Sequence, residues 1–251
     1  MNREEEFFQK RLKELAGIAD RRNIVTFTDF LNLNELNIFH LTFRDLSFVT
    51  CKPFGGYENA ERQIIAFIPD ALSYDYCYPV SCIKIRPQNE KYADKMTHRD
   101  YLGALLNLGI ERSTLGDILI DGSAALVFCL DRMEEFILNG LTRVKHTNVI
   151  CESVDYENMD YTPKYELVRG SVASIRLDSL LSVAFGSSRS SLVGLIEGGK
   201  VFVNGKMVTS NGYKLKENDI ISARGLGRFC YLGVTAETKK GRMWAELKKF
   251  I

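Results

Sequence analysis

The chain has 251 residues, 45% of them hydrophobic and 26% charged, with 33 Lys and Arg against 32 Asp and Glu for a net charge of +1. This is the make-up of a soluble globular protein of two or three small domains. No stretch approaches the roughly 18 consecutive apolar residues of a membrane-spanning helix, and the opening MNREEEFFQKRLKEL is too charged for a secretory leader, so a cytoplasmic protein is expected.

The six cysteines, Cys51, Cys77, Cys82, Cys129, Cys151 and Cys230, include no C-x-x-C pair, and no histidine stands at finger-like spacing. Zinc is not expected, and no other metal site or cofactor is. The cysteines read as small buried apolar residues, with a catalytic thiol as the alternative.

In residues 1–74 the pattern predicts an N-terminal α/β domain. Phe7, Phe8, Leu12 and Leu15 mark an amphipathic opening helix. Thr28 reads as the cap of a second helix starting near Phe30, Leu31 and Leu33, and Asn34 as the cap of a third carrying Leu36, Phe39 and Leu41. Phe54-Gly55-Gly56-Tyr57 is a turn before a strand at 63–68. It fits neither G-x-x-x-x-G-K-[ST] nor G-x-G-x-x-G, so it is a loop between packed elements rather than a phosphate cradle. Tyr57 and Arg62 are candidate RNA contacts from that loop.

Residues 75–165 read as β-α-β-β-α-β, the ferredoxin-like order shared by RNA-recognition motifs. A strand covers 80–86. Thr97 and Asp100 form a capping box for a helix through Leu105 and Leu106 that ends near Gly109. Two strands flank Asp121-Gly122, Asp131 caps a second helix with Glu134 three residues on, and 142–151 is the last strand. The aromatic signature of an RNA-recognition motif is missing, so this domain is expected to dock or to read shape. The letters H-R-D at 98–100 lack the other parts of a kinase; His98 and Arg99 are further candidate RNA contacts. Polar residues 155–164, with Pro163, read as a flexible linker.

Residues 171–251 hold thirteen Lys and Arg and six Asp and Glu, a surplus of seven, which leaves residues 1–170 at −6. A basic module on an acidic remainder is an electrostatic footprint for nucleic acid. Leu177, Leu180, Leu181 and Ala184 form one helical stripe, stopped by Gly186. Ser187 or Ser188 caps a second helix with Leu192, Leu195 and Ile196, ended by Gly198-Gly199. Asn204-Gly205 predicts a hairpin between Val201–Val203 and a return strand at Lys206. Two short strands follow, and Trp244 in the basic tail is expected to close the small core, with base stacking as its alternative.

Arg176-Leu177-Asp178, Ser188-Arg189, Leu195-Ile196, Gly199, Val203-Asn204-Gly205, Asp219, Ile221 and Gly225 resemble the S4 family of RNA-binding domains. The resemblance implies that the two helices and the hairpin face structured RNA, with Arg176, Ser188, Arg189, Lys200, Lys206, Arg224 and Arg228 as contacts. The residues agree, because a first-turn arginine at free N–H groups suits a phosphate. For each cation alone, the competing reading is an ordinary solvated charge.

A second resemblance spans nearly the whole chain. Phe54-Gly55-Gly56-Tyr57 with Glu61-Arg62, Pro79 to Ile85, Thr97 to Leu106, Leu108-Gly109-Ile110 and Gly116-Asp117-Ile118 are similar to the YlmH family of three-part bacterial proteins. It implies an α+β protein with a C-terminal S4 domain that binds rRNA and tRNA on the large ribosomal subunit, in quality control of stalled peptidyl-tRNA complexes. The expected partners are RNA and that subunit, not DNA or membrane, and the protein is expected to be a monomer and not an enzyme. The alternatives are an S4-bearing RNA-modifying enzyme, of the pseudouridine synthase or methyltransferase class, and a cell-division scaffold. The enzyme reading lacks a separate catalytic domain and a glycine-rich cofactor loop.

Overall fold

In the computed structural model, residues 3–71, 74–156, 164–239 and 241–250 are described, apart from the side chain of Arg189. Contacts divide the chain into two units, Met1–Asp160 and Tyr161–Ile251.

Helix α1 (Arg3–Arg22) begins with Glu4, Glu5 and Glu6 and ends with Arg21 and Arg22, charges that complement the helix dipole. Its buried stripe is Leu12, Leu15, Ala16 and Ala19; Phe7, expected on that stripe, faces solvent. Strands β1 (Thr26–Phe27), β2 (Val49–Phe54) and β3 (Ile64–Pro69) form an antiparallel sheet in the order β1-β3-β2. One helix, α2 (Leu33–Thr42), replaces the two expected between β1 and β2. Its cap is Asn32, whose Oδ1 accepts from Asn34 N at 2.9 Å while Glu35 reaches back to Asn32 N at 2.7 Å. Thr28 caps nothing; its buried hydroxyl accepts from Ile65 N at 2.9 Å.

The same unit continues with β4 (Val80–Pro87), α3 (His98–Asn107), β5 (Leu115–Asp121), β6 (Ala124–Leu130), α4 (Asp131–Gly140), β7 (Arg143–Val144) and β8 (Thr147–Val154). The sheet order β5-β6-β4-β8-β7, antiparallel throughout, is the ferredoxin-like arrangement with a small hairpin added at one edge. The expected strand at 142–151 is therefore two, broken at Lys145, whose φ is +53°. The capping box of α3 forms as read, with Asp100 Oδ2 accepting from Thr97 N at 2.7 Å. Asp131 is the first helical residue rather than a cap. Glu134 turns to the sheet and accepts from Ser81 and Ser153 instead.

Alternation along the strands gives this sheet two buried faces. Ile83, Ile85, Ala125, Val127 and Cys129 meet the helices. Cys82, Leu126, Phe128 and Leu130 point the other way and are also buried.

The second unit contains β9 (Tyr165–Val172), α5 (Leu177–Phe185), α6 (Arg189–Glu197), β10 (Val201–Val203), β11 (Lys206–Met207), β12 (Ile220–Ala223), β13 (Gly227–Glu237) and β14 (Met243–Phe250). Its sheet is larger than the short strands of the sequence pattern suggest: six strands in the order β11-β10-β12-β13-β14-β9. The two helices cover one face around Leu177, Leu180, Leu181, Leu192, Ile196, Phe229 and Leu247. A side chain at Gly170 would lie 2.6 Å from Val183, so β9 and α5 meet at a distance only glycine permits. Trp244 does not close this core; it stands 41% exposed on β14. Residues 157–163, most of the expected linker, and Lys240 of the basic tail lie outside the described residues.

Candidate nucleic-acid interface

Within the second unit, the S4-like elements bring two of the expected cations, Lys200 and Arg224, together. Gly186, at φ +63°, turns the chain out of α5. Ser188 then caps α6, its hydroxyl accepting from Ser191 N at 3.4 Å. Arg189 is the first helical residue, where free backbone N–H groups favour an anion. After Gly199 (φ +65°) the chain enters Lys200, whose carbonyl accepts from Arg224 N at 2.9 Å. That bond sets two exposed cations side by side. Lys206 lies exposed across the hairpin from Val203.

The hairpin itself is built locally. Asn204 and Gly205 have φ +49° and +76°, the type I′ requirement. The Asn204 side chain donates to Asp219 Oδ1 at 2.8 Å and accepts from Ile220 N at 2.9 Å. The Arg224 guanidinium lies 5.3 Å from the centre of the Phe202 ring and that of Arg228 4.9 Å from the Phe250 ring, cation–π contacts that tie each cation to the sheet. Among the described residues, Lys200, Lys206 and Arg224 make no ion pair, so their charge is open to an outside phosphate. Arg176 differs. It is forked onto Asp178 at 3.1 and 3.3 Å, beside the 211–213 turn that accepts from Leu177 and Asp178, so its charge is largely balanced within the fold.

In the first unit, two of the four further candidates are structural. Arg62 is 8% exposed. Its guanidinium donates to the carbonyls of Leu115 at 2.8 Å, Phe30 at 2.8 Å and Arg112 at 3.0 Å. Burial lowers its pKa while Glu35, Asp117 and Glu61 oppose that shift. Tyr57 donates to Asp117 Oδ2 at 2.7 Å, and the same carboxylate accepts from Glu61 N and Arg62 N. The F-G-G-Y and E-R segments thus join the N-terminal sheet to the central one. Their service to packing takes Arg62 off the surface, and sequence alone gave no sign of it, because the acceptors come from residues 30 and 112–117.

His98 and Arg99 begin α3 and are exposed. Desolvation and the nearby Arg112 lower the His98 pKa, and Asp117 pulls it back up. Beside them lie two cations that the sequence reading passed over, Arg143 and Lys145 on the β7–β8 hairpin.

Four of the thiols are held protonated by burial. Burial raises Cys51 and Cys151 to about 11 and Cys82 and Cys129 to about 12, so none of the four is a thiolate at neutral pH. Among the described residues, no group of three His, Cys, Asp or Glu is placed to hold a metal ion, and no single helix is long and apolar enough to cross a membrane.

Three family models match the chain in succession: "YlmH, N-terminal" over residues 4–72, "Putative RNA-binding domain in YlmH" over 76–158, and "S4 domain" over 175–221. A curated relative, ribosome-associated protein quality control protein P2 of Bacillus subtilis (strain 168), is 28% identical over 244 residues, spanning 96% of this chain and 93% of the relative. A solved structure, cell division protein YlmH from Streptococcus pneumoniae, superposes with a TM-score of 0.52 at 22% identity, covering 64% of this chain and 97% of the other. At that identity the superposition speaks to fold.

Proposed function

The chain belongs to the YlmH family, and from that premise we propose that it is a non-catalytic RNA-binding factor of the ribosome, acting in quality control of stalled peptidyl-tRNA complexes. The observation that carries the RNA contact is the pairing of Lys200 with Arg224 through a 2.9 Å main-chain bond. Cations free of ion pairs neutralise backbone phosphates without reading bases, which suits folded rRNA and tRNA. The ribosomal part of the reading rests on the relative named for ribosome-associated quality control, aligned over nearly its full length. The large subunit is the expected platform, the protein works as a monomer in the cytoplasm, and the acidic remainder limits indiscriminate RNA binding.

Co-sedimentation with separated ribosomal subunits over a salt series tests this. The expected result is salt-sensitive binding to the large subunit, tighter than to naked RNA, with log K falling by roughly 0.7–0.9 per phosphate contact for each unit of log salt. Changing Lys200 and Arg224 to Gln lowers both the affinity and the slope. Equal binding to any RNA, or none to either subunit, overturns the reading.

A further inference from the structure

The face of a ferredoxin-like sheet that RNA-recognition motifs use to stack bases is closed in this protein. Phe128, at the middle of β6, points to that face and is fully buried. Tyr57 stacks on it with ring centroids 5.2 Å apart, and a Cβ on Gly56 would come within 2.2 Å of its ring. Phe54, Tyr78 and Tyr156 continue the aromatic cover, with Phe54 at 4.7 Å from Tyr78 and 6.0 Å from Tyr156. Strand β6 has no surface there for a base to reach.

The opposite, helical side carries an open groove of about 480 Å³ between α3, the end of α4 and the β7–β8 hairpin. Arg99, Arg143 and Lys145 line it, with Gly103 and Gly140 among the smaller residues of its wall. Nothing lies within 4 Å of the position a Gly103 Cβ would take. The one carboxylate in the lining, Asp100, is already engaged by Lys145 at 2.9 Å and by Thr97. Among the described residues, the guanidinium groups of Arg99 and Arg143 have no hydrogen-bond or ion-pair partner. Two free planar donors across a concave, net positive groove match the spaced oxygens of a phosphodiester backbone.

We propose that the central module contacts RNA through this groove, with Arg99 and Arg143 as phosphate ligands, rather than through its sheet. The inference rests on the RNA-binding reading above and assigns it a second surface, remote in sequence from the S4 elements. The contact is to backbone, so it adds affinity and register without sequence preference.

The test uses the full chain carrying Arg99→Gln and Arg143→Gln together, and Arg99→Gln alone. Both residues are exposed and unpaired, so the melting temperature should match the parent. Fluorescence anisotropy with a labelled RNA stem-loop, over a salt series, gives the readout. The double variant should bind several-fold more weakly, about equally for stem-loops of unrelated sequence. Its salt slope should fall by roughly 0.7–0.9 for each lost contact, and the single variant should lie midway. An unchanged slope in a folded double variant, while Lys200→Gln with Arg224→Gln still reduces it, overturns the groove and leaves the S4 contact standing. Failure of the parent itself to bind the stem-loop or the large subunit instead removes the underlying reading. A second arm adds inorganic phosphate without RNA. If it raises the melting temperature of the parent but not of the double variant, while the RNA slopes agree, the groove takes a small anion and the RNA assignment fails.

Discussion

The ring of Tyr57 lies stacked on that of Phe128, planes 29° apart, while its hydroxyl donates to Asp117 on the neighbouring strand β5. One side chain therefore closes a sheet face and ties down the loop that approaches it. The approach depends on Gly56, whose φ is +96°. Gly56→Ala should destabilise the first unit by about 2–4 kcal/mol, through left-handed strain plus collision with Phe128. Gly122→Ala is the comparison: φ is +62° but nothing lies within 4 Å, so only the strain of about 1–2 kcal/mol applies. Urea denaturation of both variants checks the order, and equal losses would reject the collision.

Arg62→Met keeps the length of the side chain and removes its donors. Carbonyls of Phe30, Arg112 and Leu115 lose a charged partner inside the protein. The expected loss is about 2–4 kcal/mol in urea denaturation, with RNA affinity of the folded protein unchanged. A variant of full stability and weakened RNA binding would return Arg62 to the interface.

Asp100 gives a pH signature. Hydrogen bonds from Thr97 and Lys145 hold its carboxyl at about 2 against an ordinary 3.8. Because the folded value is the lower one, the stabilisation is complete above the ordinary value and is lost as pH falls towards 2. The melting temperature of Asp100→Asn should therefore lie below that of the parent at neutral pH by an amount that stays constant down to about pH 4. The gap should then narrow towards pH 2. A gap that does not narrow means the carboxylate is not what stabilises this helix start.

What could be read from sequence follows the range of the interaction. The Thr97–Asp100 box and the Asn204-Gly205 turn are complete within four residues, and both form as expected. The ferredoxin-like order was legible because strand and helix periods alternate cleanly through 80–154. Thr28 looked like a cap because serine and threonine before an apolar run usually are; its hydroxyl is bound to Ile65, 37 residues away. Arg62 has the same explanation, with all its acceptors remote. The break at Lys145 was hidden because a lysine at positive φ carries no turn signal. Strands β9 and β14 escaped notice because each completes the other, across 77 residues at the Arg169–Glu246 contact. Of the candidate interface, the cations of the S4 elements were evident from charge and spacing, whereas Arg143 needed the hairpin to bring it to Arg99.

Strand β14 lies between β13 and β9, although it is the last of the eight elements of its unit to be synthesised. As the polypeptide emerges, β9 precedes everything else in the unit and has no neighbour in the sheet until β14 arrives. For all that time its backbone donors and acceptors on both edges are free, together with the exposed Tyr165 and Leu167. Vectorial folding of this unit is consequently back-loaded. A nascent chain that halts before residue 243 carries helices and a hairpin but an open sheet, and is exposed to mispairing until β14 is added.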